Sequence, residues 1–150
     1  MFKFLEKFNA NERQPQQVSD YDLMVATAGL FLEIVNADFK VDAQEEAQLR
    51  GLLKDRFHLS EEDLDELIAY ARQDREKRQD IWQFASRLKD HLPREKRLGI
   101  LSDLWRLIYA DGRLDMYEDA LIRKITELLG LDHAEMIETK LKVKKEFQKD

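Results

Sequence analysis

Apolar residues recur at spacings of three and four along nearly the whole chain, and strict alternation of apolar and polar residues is sustained nowhere. A side chain returns to the same face of a helix at those spacings and to the same face of a strand at every second residue. The pattern therefore commits the chain to amphipathic helices. Two Pro and five Gly are too few for a turn-rich β protein. A hydrophobic share of 43% beside a charged share of 37% suits helices with one buried face and one salt-bridged face. At 150 residues the expected fold is all-α, a single compact helical bundle of about seven helices around one core.

Residues 1–19 separate from the rest. Phe2, Leu5 and Phe8 make a short amphipathic opener, and residues 9–19 read as a polar connector; the helical domain then occupies residues 20–150. Ser19 caps a first long helix with a core stripe through Leu23, Ala26/Thr27, Leu30/Phe31 and Ile34/Val35. Further helices are expected from Asp42 to about Phe57, after Ser60, after Asp80, from Pro93, from Asp115 to Gly130, and from Asp132. The stretch Arg72–Gln79 reads as a solvated helix end, and the last helix is expected to turn Met136, Val143 and Phe147 to one side.

The chain also matches itself. At an offset of 73, residues 32–50 lie over residues 105–123, and six of the 19 positions are identical: Ala37/Ala110, Asp38/Asp111, Asp42/Asp115, Glu45/Glu118, Ala47/Ala120 and Arg50/Arg123. Past one deletion, Leu59-Ser60 pairs with Leu131-Asp132 at offset 72. Apolar positions in two helices match by chance easily; an acidic triplet in register does not. The reading is an internal pseudo-two-fold duplication whose common feature is D-x3-D-x2-E across a helix–turn–helix.

Two of the three acids in each copy have an ordinary explanation. Asp42-x-x-Glu45 and Asp115-x-x-Glu118 have capping-box spacing, in which the first residue accepts a first-turn N–H and the Glu reaches back. Asp38 and Asp111 are different, because a carboxylate at a helix C-terminus meets an unfavourable dipole. Lys40 and Arg113 can compensate them, and so can a cation. Carboxylates favour the hard ions Ca²⁺, Mg²⁺ and Mn²⁺. The spacing is too short for an EF-hand loop, since Asp38 and Glu45 are only seven residues apart. Gly112 suits the left-handed closure of a helix, and Phe39 stands at the equivalent place in the first copy.

Other function classes find little support. A net charge of −6 argues against nucleic acid as a partner. The basic residues Lys140, Lys142, Lys144, Lys145 and Lys149 read as a solvated face, with docking to an acidic partner as the alternative. His58, His91 and His133 stand apart near helix ends, and no phosphate loop, nucleophile elbow or zinc motif accompanies them, so no enzymatic activity is expected. With no Cys there is no disulfide or thiolate site, which fits a cytoplasmic setting. No apolar run reaches the length of a signal peptide or a membrane span.

The segments Ala-Asp-Gly-Arg-Leu-Asp-Met-Tyr-Glu (110–118) and Ala-Asp-Phe-Lys-Val-Asp-Ala-Gln-Glu (37–45), with a charged helical stretch between them, resemble the tellurite-resistance protein B (TerB) family over roughly residues 20–140. The resemblance implies an all-helical bundle of paired helices, a role in tellurite resistance and wider stress response, and protein partners that include membrane-associated ones. It also implies metal binding by acidic residues, which here are Asp38, Asp42, Glu45, Asp111, Asp115 and Glu118. Similar domains occur beside DnaJ-like modules; these 150 residues carry neither a J-domain nor a membrane anchor, so co-chaperone activity is not implied. The alternative to a cation-binding module is a metal-independent protein–protein interaction scaffold in which the acidic turns serve only as helix caps.

Overall fold

The computed structural model describes residues 19–35, 43–76, 81–110 and 116–148. These form seven α-helices and, among the described residues, no strand: α1 (Asp20–Val35), α2 (Ala43–Phe57), α3 (Glu61–Glu76), α4 (Ile81–His91), α5 (Arg94–Tyr109), α6 (Met116–Leu128) and α7 (His133–Gln148). The opener at residues 2–8 and most of the connector lie outside the described residues. None of the described helices is long and apolar enough to cross a membrane.

Helix α1 organises the packing. Ser19 and Asp22 close its start as a reciprocal capping box, each side chain accepting the other's backbone N–H at 3.1 Å. The sequence pattern predicts one core-facing stripe, but twelve of the sixteen residues are buried, including Val25, Ala28 and Leu32 outside that stripe. The reason is that α1 has neighbours all round: α2, α3, α4, α5 and α6 all pack against it. A helix apolar on every side is a buried helix. Helix α5 is the second internal element, with Ile100, Leu101, Leu104, Trp105, Leu107 and Ile108 buried.

The described helices around the two matched stretches pack in a similar order. Helix α3 packs on α1 and α2, as α7 packs on α5 and α6, while α2 also touches α5 and α6 touches α1. Helices α3 and α7 start 72 residues apart, and each has a side-chain N-cap: Ser60 Oγ accepts the Asp63 N–H at 3.1 Å, and Asp132 Oδ1 accepts the Glu135 N–H at 2.8 Å. The ends of α2 and α6 correspond too. His58 (φ 56°) and Gly130 (φ 76°) take the left-handed conformation, followed by Leu59 N–H to Lys54 O at 3.2 Å and Leu131 N–H to Thr126 O at 3.0 Å. Those bonds are the long bond of a Schellman closure, and Leu59 and Leu131 are buried beneath it.

Helix α4 stands between α3 and α5 in the chain. It turns Phe84, Ala85 and Leu88 inward against α1 and α6. The approach to α1 is close because residue 29 is glycine: a Cβ there would lie 2.4–2.7 Å from the Phe84 ring.

One buried charge crosses the bundle. Asp103, on α5 and 3% exposed, accepts from Arg56 Nε of α2 at 2.7 Å and from Arg106 Nη1 at 2.6 Å. Arg106 reaches on to Glu146 of α7 at 2.8 and 2.9 Å. The Glu146 pairing, then Asp103, raises the Arg106 pKa against the opposing effect of burial. Three helices are thereby held in register by one ionic chain.

Opposite outcomes are expected at two glycines. Gly29→Ala should lower stability by about 1–3 kcal/mol, because the added methyl overlaps Phe84. Gly51→Ala, in the interior of α2 with nothing within 4 Å of the new Cβ, should raise it by about 0.5–1 kcal/mol. Urea unfolding of both variants checks the α1–α4 contact directly.

Candidate functional site: the buried glutamates of the acidic turns

Of the six predicted site residues, Glu45 and Glu118 are described; Asp38, Asp42, Asp111 and Asp115, with the turn glycine Gly112, lie outside the described residues. Each glutamate is the third residue of its helix, α2 or α6. The sequence favours a helix start there, since carboxylates in a first turn face the positive end of the backbone dipole. Helical spacing then puts Glu45 one turn before Leu49, and Glu118 one turn before Ile122, both completely buried.

Burial is the unexpected property. Glu45 and Glu118 are each 1% exposed, and one carboxylate oxygen of each is shut off from solvent. Their sequence neighbours behave as ordinary surface acids: Glu46 pairs with Arg72 at 3.1 Å and Asp119 with Arg123 at 2.8 Å. The acids of the two turns thus divide by position along the helix, one pointing into the bundle and the next pointing out.

Among the described residues, another D-x-x-E acts as a helix cap. Asp132 and Glu135 at the start of α7 form a complete box, Glu135 Oε1 accepting the Asp132 N–H at 3.0 Å. The Glu135 side chain keeps 17% of its surface exposed and is gripped by Arg94, whose Nε lies 2.7 Å from Oε2. The Asp132 N–H first, then the Arg94 guanidinium, hold the Glu135 carboxyl below the ordinary carboxylate value. That Glu45 and Glu118 are more buried than Glu135 was not legible in their spacing, which is identical.

Aromatic residues gather at the end of α5, just before the second turn. Tyr109, the last residue of α5, stacks on Trp105 with centroids 6.1 Å apart and meets Phe147 of α7 at 5.9 Å. Burial pushes the Tyr109 hydroxyl above its ordinary pKa. Lys140 lies over the Trp105 ring at 5.5 Å. At offset 73 the first copy has Leu32 and Asn36 in place of Trp105 and Tyr109. Phe147, expected beside Met136 and Val143, remains 45% exposed because it covers Tyr109 at the edge of the bundle.

Among the described residues no three His, Asp or Glu side chains are grouped as a metal would require. The aspartates at 38, 42, 111 and 115 lie outside those residues.

A protein-family comparison matches residues 24–141 to the tellurite resistance protein TerB. The chain belongs to the TerB family. The match takes in both glutamates, both Schellman closures, five helices whole and parts of α1 and α7. Among solved structures, this TerB-family chain resembles a protein of unknown function from Porphyromonas gingivalis W83, with a TM-score of 0.63 and 21% identity, covering 86% of this chain and 98% of that one. That likeness concerns the fold. No curated protein matches the chain significantly.

The cap at α7 gives a pH prediction. A carboxyl whose folded pKa is depressed contributes stability that is present above its unfolded pKa and is lost as pH falls through the folded value. Glu135→Gln should therefore flatten the loss of stability below about pH 4.5 while leaving the slope near neutrality unchanged. Urea midpoints measured across that range check it; an unaltered acid limb would contradict it.

Proposed function

We propose that this TerB-family domain is a non-enzymatic cation-binding module, of a tellurite-resistance or stress-response type, that acts through protein contacts in the cytoplasm. The ligands are carboxylates from both turns: Asp38, Asp42 and Glu45 from the first, Asp111, Asp115 and Glu118 from the second. The observation that carries the reading is the equal burial of Glu45 and Glu118, 1% exposed each, at matching positions. Two inward-facing carboxylates at matching positions, with further aspartates three and seven residues earlier in the sequence, are the donor set on which the reading rests. All-oxygen donors suit Ca²⁺, Mg²⁺ or Mn²⁺.

A second reading is favoured by the surface of α7. Leu141 and Phe147 are 51% and 45% exposed on a helix carrying exposed Lys142, Lys144 and Lys145. On that reading the domain is a metal-independent scaffold that docks an acidic protein through α7, and the acidic turns only start helices.

Calorimetric titration separates the two. The cation module binds at least one of Ca²⁺, Mg²⁺ and Mn²⁺ more tightly than about 1 mM, and Glu45→Gln with Glu118→Gln weakens that ion by tenfold or more, about 1.4 kcal/mol. Adding the ion should raise the melting temperature of the parent and leave that of the double variant unmoved, since binding stabilises only the parent. No ion tighter than about 1 mM, or equal affinity in the variant, contradicts the cation reading and favours the scaffold.

A further inference from the structure

The corner where α1 begins, α2 ends and α5 begins holds a cleft of about 320 Å³. Its inner wall is apolar, formed by Leu23, Met24, Phe57, Leu92 and Ile100, with Thr27 at the floor. Its rim is polar: Lys96, His58 and Asp20, all exposed, and Arg56. The Arg56 charge is already engaged by buried Asp103 at 2.7 Å. That leaves Lys96 and the His58 ring facing a single carboxylate, Asp20, and among the described residues no carboxylate pairs with Lys96. An apolar chamber with a few convergent polar groups at its mouth is the usual form of a small-molecule site.

The other half of the chain shows what a closed version of this corner looks like. At offset 73 the counterpart of Met24 is Arg97. Arg97 crosses its corner, donating from Nε to the Leu92 carbonyl at 3.1 Å and from Nη1 to the Leu129 carbonyl at 2.6 Å. Its Nη1 lies only 3.0 Å from where a Cβ on Gly130 would stand. The second corner is thus filled by the protein's own side chain, and Gly130 makes room for it. In the first corner Met24 leaves the space open. There the left-handed position is His58, not glycine, and its ring is placed on the rim.

We infer that this cleft is a binding site for a small amphiphilic monocarboxylate, its apolar tail against Met24, Leu92 and Ile100 and its carboxylate held by Lys96 and the His58 imidazole. The site is separate from the acidic turns and does not depend on a cation.

The experiment is a titration of the full chain with hexanoate, followed by methyl NMR, with hexanol and hexylamine as parallel probes. Hexanoate should saturate shifts at Leu23, Met24, Leu92 and Ile100 with a Kd of about 1 mM or tighter. The alcohol and the amine should bind about tenfold more weakly or not at all, since they lack the charge that Lys96 recognises. Met24→Arg, which installs the residue carried by the other half, should abolish the shifts while circular dichroism and melting stay those of a folded bundle. Lys96→Met, at an exposed position, should weaken hexanoate about tenfold and keeps the test decisive if Met24→Arg does not fold. The proposal is overturned if hexanoate gives no saturable shifts, if the three probes bind equally, or if Lys96→Met leaves hexanoate affinity unchanged.

Discussion

Helix α1 has almost no polar face, and most of the architecture follows from the need to enclose it. Its few polar groups are gathered at the N-terminal cap and at Glu33, and nearly everything between must be kept from water. Five helices supply that cover, and α5, the next most buried, brings α7 with it. Burying a large apolar side chain is worth roughly 1.5–3 kcal/mol, so the row from Met24 to Val35 is the main source of cohesion. The glycine at 29 serves the same close packing, since it lets α4 press Phe84 onto α1. Around this hydrophobic centre the charges set orientation: the chain of Arg56, Asp103, Arg106 and Glu146 fixes how α2, α5 and α7 sit relative to one another.

Enclosure of α1 also explains why Glu45 and Glu118 are buried. Each stands at the start of a helix that packs on α1, and each shares an inward face with a fully buried aliphatic residue one turn on. A helix laid against the core this way carries its third residue inside. The capping box at α7 starts its helix with the same spacing and leaves the Glu partly in water beside an arginine. On the proposed reading, a divalent ion would draw on both buried glutamates, with the aspartates of the two turns as the remaining donors.

The fold was legible in the sequence to a useful depth. Periodicity placed all seven described helices, and Ser19, Ser60 and Asp132 marked starts where side-chain caps are found. The offset match anticipated equivalent positions for Glu45 and Glu118, though not the extent of their burial, because spacing reports a face and not what lies opposite. Three features were out of reach for related reasons. Asp103 sits among apolar neighbours on α5, and only the approach of Arg56, 47 residues away in sequence, makes sense of it. The all-round burial of α1 depends on how many helices gather there. His58 read as a helix-end residue, correctly, but its place on the rim of a cleft arises from the junction of three helices.

The central claim is that the two buried glutamates serve a cation, and paramagnetic broadening tests it most directly. Mn²⁺ added in small amounts to isotopically labelled protein broadens NMR signals of nuclei close to the ion. The account predicts broadening centred on the first turns of α2 and α6, around Glu45 and Glu118, relieved by excess Ca²⁺ or Mg²⁺. Broadening confined to exposed acids such as Glu61 and Glu62 at the start of α3, with the two buried positions left sharp, would contradict it.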